Sequence, residues 1–357
     1  MRSVQRRSRM HGTRSGERMR FRRFVQAMLT TSMTVLAALP ARADFNDRKP
    51  IDYTLDGATA SGYFKVVAEA VNGIIREVYP GSAATYKPGS PAGGILNISR
   101  GQSDFTFTGG APEIAYALDG TKPFTESLKG KFKFVMLLHN GLVVHSLMTK
   151  DWADRNGITS FADIAAKKPQ MRLHVNQLAN LQSTIAMYVA LFDAYGIKEE
   201  EVTKGTTVFR SNAAGGFDAL RDGKIDVFIN GGFLPTAEVT DIARGRPLMW
   251  IAGDPDKIKA AAGRWSYDTL TVPKGIYPFV AQDDVTIVQW NAVLAGAHVP
   301  DETVYKVVKA LADNTDRVRS IHPSLAQFAI DKVVRNPTQL PYHPGAERFY
   351  REAGTLK

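Results

Sequence analysis

The sequence contains no cysteine. That absence excludes disulfides, thiolate nucleophiles and cysteine-based zinc sites. It also excludes the lipid anchor that an exported lipoprotein attaches to a cysteine just after its signal. The usual catalytic spacings are missing as well. Pro88 stands where a G-x-S-x-G elbow around Ser90 would need its first glycine. Ile225 follows Gly223-Lys224 and breaks a phosphate-binding P-loop. The seven histidines form no H-x-x-x-H pair, and no acidic loop has calcium-ligand spacing. His139 and His145 flank Asn140-Gly141 and read as core or crossing-strand histidines. Neither a cofactor nor a metal is expected.

A balanced charge is also missing, but only locally. Residues 1–43 hold ten arginines against Glu17, while the rest holds 35 basic and 34 acidic residues. Of the formal charge of +10, +9 therefore belongs to the first segment, and a nucleic-acid partner is not expected. That segment reads as a signal peptide. MRFRRF (19–24) is its basic region, VQAMLTTSMTVLAAL (25–39) its apolar region, and Ala41-Arg42-Ala43 an A-x-A site with cleavage after Ala43. Met19 is an alternative start, and Arg22-Arg23 leaves a twin-arginine route open beside the general one. A basic tail that stays on the chain is the alternative reading of the segment. No second long apolar run follows, so the mature chain is expected in the periplasm without stable membrane insertion.

What the sequence does contain is a pair of near-copies, GQSDFTFTGG (101–110) and GKIDVFINGG (223–232). Each follows a helical pattern and leads toward a proline suited to a helix's first turn, Pro112 or Pro235. A repeated helix–turn–strand–turn–helix unit predicts two similarly built halves, and the paired glycines predict backbone that something approaches closely. IDYTLD (51–56), ATYKPGS (84–90), RLHVNQ (172–177) and PLMWIAG (247–253) read as strands or strand exits. The spacing of Phe64, Val67, Ala68, Val71, Ile74, Ile75 and Val78 predicts a helix ending before Pro80. Ile185, Val189, Phe192 and Tyr195 fall on one face of another helix. Asp301 is predicted to cap a helix that turns Val304, Val307, Val308, Leu311 and Val318 inward. Segments 132–150 and 291–299 suit strands crossing between domains. Strands alternating with helices predict an α/β fold. The division is 44–142 plus 290–357 for one domain and 143–289 for the other.

Small polar loops at the strand ends are the candidate site. In an open α/β sheet ligands bind at that edge, where helix N-termini favour an anion by about 0.3–1 kcal/mol. The candidates are Thr59, Ser61, Ser90, Gly93, Thr108, Gly109, Ser183, Thr184, Asn230, Gly231 and Phe233, with Tyr63 against the solute's apolar part. Each hydroxyl has a second reading, as the cap of its own helix, and Tyr63 a second reading as a core residue. Asp104 and Asp226 begin strands at the opposite edge and read as caps of local turns.

Several stretches resemble the TAXI-type solute receptors of tripartite ATP-independent periplasmic (TRAP) transporters. GATASGYF (57–64) is similar to that family's first-strand turn, with the threonine shifted by one. PGSPAGGILNISRGQSDF (88–105) is similar to its Gly-Ser loop and helix, with Gly94 where asparagine is usual. LRDGKIDVFINGG and YPFVAQDDVTIVQW (277–290) match further segments, and LPYHPGAERFYREAG (340–354) resembles its C-terminal ending closely. NLQST (180–184) departs, with Gln182 in place of a glycine. The resemblance implies a type II periplasmic-binding fold that closes on a small anionic solute, an organic acid or acidic amino acid. It implies delivery to TRAP membrane subunits driven by an ion gradient. A receptor presenting its ligand to a membrane sensor is the nearest alternative, and an exported hydrolase is one of another class. Arg210 is an open candidate for the cleft.

Overall fold

Short apolar strands alternating with amphipathic helices build one mixed sheet with helices on both faces. The computed structural model describes residues 45–58, 63–176 and 182–357, without the side chains of residues 108, 140 and 182. The signal segment and the loop residues Thr59, Ser61 and Asn180 lie outside the described residues.

The strands are β1 (Tyr53–Asp56), β2 (Ala84–Lys87), β3 (Phe105–Gly109), β4 (Phe132–Thr149), β5 (Leu173–Val175), β6 (Val208–Arg210), β7 (Val227–Gly232), β8 (Leu248–Trp250), β9 (Asp268–Val272) and β10 (Asp284–Gly296). Helices α1 (Tyr63–Val78), α2 (Pro91–Ser99) and α3 (Ala111–Asp119) follow the first three strands. Next come α4 (Lys150–Asn156), α5 (Phe161–Lys167), α6 (Gln182–Tyr195), α7 (Glu199–Val202), α8 (Ala213–Arg221), α9 (Ala237–Gly245) and α10 (Pro255–Gly263). The chain ends with α11 (Asp301–Asp313), α12 (Thr315–Ile321), a 3₁₀ turn (Pro323–Leu325), α13 (Ile330–Val333) and α14 (Pro344–Glu352).

The strand order is β2-β1-β3-β10-β4-β7-β5-β6, with β8 beside β4 and β9 beside β10. The internal repeat is visible in it. β1 pairs in parallel with β2 and β3, and β5 pairs in parallel with β6 and β7. β10 closes the first half antiparallel to β3, β4 closes the second antiparallel to β7, and the two run antiparallel at the centre. GQSDFTFTGG and GKIDVFINGG are thus equivalent strands with their exits. β4 is continuous over 18 residues, and Asn140-Gly141 does not end it. The extra residue is absorbed where the register with β10 shifts at Gln289–Trp290, a bulge that bends the strand without breaking the ladder.

Asp104 and Asp226 correct the turn-cap expectation in the same way on both sides. Asp104 accepts the backbone N–H of Thr54 at 2.7 Å, and Asp226 accepts that of Arg172 at 2.9 Å. Each ties the start of its own strand to the neighbouring chain, and Asp226 adds an ion pair with the Arg172 guanidinium at 2.6 Å. Asp301 is the first residue of α11, after Pro300, and provides no side-chain cap. The helix stops at Asp313, so Val318 is buried from α12. Pro112 does lie in the first turn of α3, whereas Pro235 precedes α9 and its N-cap Thr236. Val189 is 41% exposed and leaves the face predicted for it, since α6 is packed mainly through Ile185, Met187, Tyr188, Leu191 and Phe192.

The C-terminal motif acts through packing. His343 caps α14 by accepting the N–H of Gly345 at 3.3 Å. Gly345 lets α14 lie against α11, because a Cβ there would overlap the carbonyl of Asp301. Tyr350 donates to the carbonyl of Val135 on β4 at 2.9 Å. The 277–290 stretch is structural too. Tyr277 lies 2.9 Å from His145 Nε2 and accepts the N–H of Thr236 at 2.7 Å, fixing the exit of β7.

Candidate functional site

Among the contacts that join the halves, two are related by the repeat. The first begins at Gly110, which ends the β3 exit and precedes α3. A Cβ at this position would overlap Ser183 Oγ and crowd Tyr267 Oη at 3.2 Å, so the close approach predicted from the paired glycines is made by the other half of the molecule. Glu113, in the first turn of α3, is 1% exposed. Its carboxylate accepts the backbone N–H of Ser183 at 2.7 Å and the Ser183 hydroxyl. Tyr267 accepts the N–H of Ala111 at 3.1 Å and donates to Ser183 Oγ at 3.4 Å. An anion at this end of the 14-residue α6 suits the unpaired N–H groups and the helix dipole. Burial nevertheless raises the pKa of Glu113 above the usual carboxylate value, against the opposing pull of the Ser183 bonds.

The second contact is aromatic. Tyr63, the first residue of α1, packs its ring 4.6 Å from that of Phe233, which follows β7. His139 of β4 meets the Tyr63 ring edge-on at 5.2 Å, and His322 does so at 4.8 Å. Ser324 donates to the Tyr63 hydroxyl at 3.0 Å. In the repeat α1 corresponds to α6, and Phe233 corresponds to Ala111 at the start of α3. One pair of equivalent positions therefore makes a polar joint and the other a ring cluster.

His139 is the unusual member of that cluster. It is 5% exposed, and neither ring nitrogen has a hydrogen-bond partner within the protein. Burial lowers its pKa to about 3, helped by His322, so the imidazole is neutral at physiological pH. A cavity of about 470 Å³ opens beside it, walled by β4 and the segment from Ser324 to Arg335. A smaller one of about 250 Å³ lies between α3, residues 264–266, Trp290 and residues 337–339.

The predicted site residues divide. Ser183 and Tyr63 reach across to the opposite half, Phe233 receives Tyr63, and among the described residues Ser183 is the only predicted hydroxyl that meets Glu113. Ser90 accepts the N–H of Gly93 at 3.2 Å and caps α2. Gly93 is close to that same hydroxyl. Gly109 packs on β10, where a Cβ would stand 2.8 Å from Leu294. Thr108 lies within β3, its side chain outside the described residues. Thr184 is buried beside Gly231, whose added Cβ would lie 3.4 Å from its hydroxyl. Asn230 accepts from Asn176 Nδ2 at 3.1 Å and from the N–H of Gly231 at 2.8 Å, and its Nδ2 has no protein partner. Arg210 pairs with Glu199 at 2.5 Å and belongs to neither contact. Gly94 sits 2.5 Å, by an added Cβ, from Thr106 Oγ1, which explains a glycine where the resembling family has asparagine.

Sequence reasoning missed Glu113, Tyr267 and His322. An acid in the first turn of a helix reads as ordinary dipole complementarity, and nothing local marks it as a contact with a chain segment 70 residues away. Hydrolytic chemistry is not assembled among the described residues. His174 Nε2 lies 3.1 Å from Ser211 Oγ, but His174 Nδ1 has no acid to orient it. Among the described residues no three metal-ligating side chains gather, and no helix is long and apolar enough to cross a membrane.

Similar folds occur among solved structures. PhnD1 from Prochlorococcus marinus, in complex with methylphosphonate, aligns at 9% identity and TM-score 0.50, over 87% of this chain and 100% of its own. The periplasmic sulfonate-binding protein SsuA from Methylobacillus flagellatus aligns at 13% identity and TM-score 0.46, over 86% and 88%. The aliphatic sulphonate binding protein SsuA from Escherichia coli aligns at 11% identity and TM-score 0.43, over 87% and 84%. At such identities the PhnD1 likeness speaks for the fold, the two-domain α/β fold of periplasmic binding proteins expected from the sequence. The NMT1-like family matches residues 56–354, from the end of β1 to two residues past α14, and the chain belongs to that family.

Proposed function

We propose that the chain is a periplasmic receptor that holds a small solute at the junction of two lobes and hands it to a membrane transporter. It is read as a binder and not as an enzyme. The observation that carries this reading is the pair of repeat-related contacts, Ser183 with Glu113 and Tyr63 with Phe233. Contacts of this kind, one hydrogen bond and one ring pair, suit a closure of one half on the other that can open again. The lobes are 44–142 plus 290–357 and 143–289, and Leu142 pairs with Gln289 in the ladder at the two points of division. The strand-exit residues Thr59, Ser61, Gly93, Thr108, Gly109, Thr184, Asn230 and Gly231 remain its proposed polar lining, and Ser90 is read as the cap of α2.

An anionic solute and TRAP membrane subunits are the partners favoured by the resemblance of residues 340–354 and 277–290. Removal of residues 1–43 after Ala43 would deliver the chain to the periplasm. A thermal-shift screen of organic acids, amino acids, phosphonates and sulfonates tests the binding role. A solute at about 100 times its Kd stabilises the fold by about 2.7 kcal/mol. A fused TRAP membrane subunit encoded beside the chain supports that partner, and an ABC permease or sensor kinase there contradicts it.

A further inference from the structure

We infer that closing one lobe on the other is linked to protons at both joints, with opposite signs. Glu113 takes up a proton as Ser183 and Tyr267 close over it, and His139 gives one up as Phe233 closes over it. The inference rests on the two-lobe closure proposed above and adds a condition that governs it, the pH.

Both joints share one geometry. Each places an ionisable group of the lobe 44–142 plus 290–357 under a cover supplied by the lobe 143–289. Glu113 is buried, its carboxylate met by the N–H and hydroxyl of Ser183, and Tyr267 donates to that same hydroxyl oxygen. His139 is buried with the Phe233 ring 5.5 Å from its own, and both its nitrogens are sealed from water without a partner. Moving the covering lobe away removes Ser183, Tyr267 and Phe233 together and returns both groups to water. Among the described residues neither group has a charge of opposite sign beside it. Desolvation without such a partner disfavours the charged form, so the closed state favours a neutral acid at one joint and a neutral imidazole at the other.

The neighbours do not change these signs. Around Glu113 stand Tyr116 of α3, Tyr267 and Arg264. Burial raises both phenols, and Arg264 is paired with Asp193 at 2.6 Å. Around His139 stand Tyr63, its phenol also raised by burial, and His322, with Asp331, Lys332 and Arg335 across the adjoining cavity. Lys332 is held by Gln327 at 2.9 Å and Arg335 by Asp268 at 3.2 Å. His322 lies 4.9 Å from the Phe233 ring and repels a proton on His139, so it acts in the same sense. For the acid, closure gains as pH falls from the raised closed value toward the open value near 4.5. For the imidazole, closure loses as pH falls below the open value near 6.5. Each linked proton changes the closed-to-open ratio by at most about tenfold per pH unit.

The test is the closed-to-open ratio of the mature chain without solute between pH 5 and 8. It is read from the distance between spin labels at Glu126→Cys and Lys204→Cys, both exposed and one in each lobe. Relative to wild type, Glu113→Gln is expected to lose closure as pH falls from 6.5 to 5, by up to about tenfold per unit. His139→Phe is expected to gain closure over the same interval, and His139→Gln repeats the test without a bulkier ring. Circular dichroism checks that each variant is folded at every pH. Variants that keep the wild-type slope overturn the linkage, and departures in the same direction overturn the opposed signs. A departure in one variant alone overturns the role of the other residue. A distance that neither pH nor any organic acid, amino acid, phosphonate or sulfonate of the thermal-shift screen moves overturns the lobe closure beneath it. A distance that such a solute moves, with both variants on the wild-type slope, overturns the proton linkage alone.

Discussion

The Ser183 amide donates to the Glu113 carboxylate at 2.7 Å, and this bond joins the first turns of two helices from opposite halves of the repeat. The carboxylate is buried without a cationic partner, and its pKa is raised by desolvation. A raised folded pKa contributes stability that is full below the unfolded value near 4.5 and is lost as pH rises through the folded value. Glu113→Gln, which keeps the shape and removes the charge, is expected to flatten this part of the profile and to melt no lower than wild type at pH 7. Glu113→Ala leaves the Ser183 amide unpaired and is expected to cost about 1–3 kcal/mol. Melting curves across pH 4–8 separate the two. A Gln variant less stable than wild type at pH 7 but not at pH 4 would mean the ionised acid is the favoured form.

The buried histidines act in the opposite direction. Burial lowers His139 to about 3 and His145, His174 and His343 each to about 4. Below pH 6.5 the unfolded chain takes up protons that the folded chain refuses. The stability present above 6.5 is therefore lost as pH falls toward 4, at up to about 1.4 kcal/mol per pH unit for each such histidine. Chemical denaturation at pH 7.5, 6 and 5 is expected to show a steep fall, and His139→Phe a shallower one. An unchanged slope in the variant would contradict burial of a neutral imidazole at that position.

Ser90 and Ser183 are alike in sequence context and differ in what they touch. Ser90→Ala removes a helix cap and is expected to cost about 1 kcal/mol of stability with solute affinity unchanged. Ser183→Ala removes one bond to a buried carboxylate from the joint between lobes. A hydrogen bond contributes about 0.5–1.5 kcal/mol, so solute affinity is expected to fall about two- to tenfold through the closed form. Titration beside melting curves checks both, and the reverse pattern would move the site back to the α2 loop.

Much of the architecture was legible because it is periodic. The Gly-x-x-Asp grammar of 101–110 and 223–232 identified two equivalent strands, and the apolar length of 132–150 identified a crossing. The partners of those elements were not legible. Asp104 and Asp226 look like turn residues because only the fold brings Thr54 and Arg172 beside them. The ending at 340–354 resembles a receptor family through residues that pack α14 on α11 and β4, so it carries information about fold and little about ligand. Ser183 and Tyr63 were readable as residues placed after strand exits, but the protein groups they meet, Glu113 and Phe233, were not. The role of Glu113 depends on a residue 70 positions away, and His139 was readable as buried but not as unpaired.

In the proposed mechanism two lobes move relative to one another around a solute, and the absence of cysteine makes this directly measurable. Glu126→Cys and Lys204→Cys, both at exposed positions and one in each proposed lobe, place a single pair of spin labels on an otherwise thiol-free chain. The distance between them is measured by electron paramagnetic resonance, with and without a saturating solute from the thermal-shift screen. A distance distribution that narrows and shifts on binding, and that Glu113→Ala broadens, is the predicted result. A saturating solute that leaves the distribution unchanged would contradict closure of the lobes and the receptor mechanism built on it.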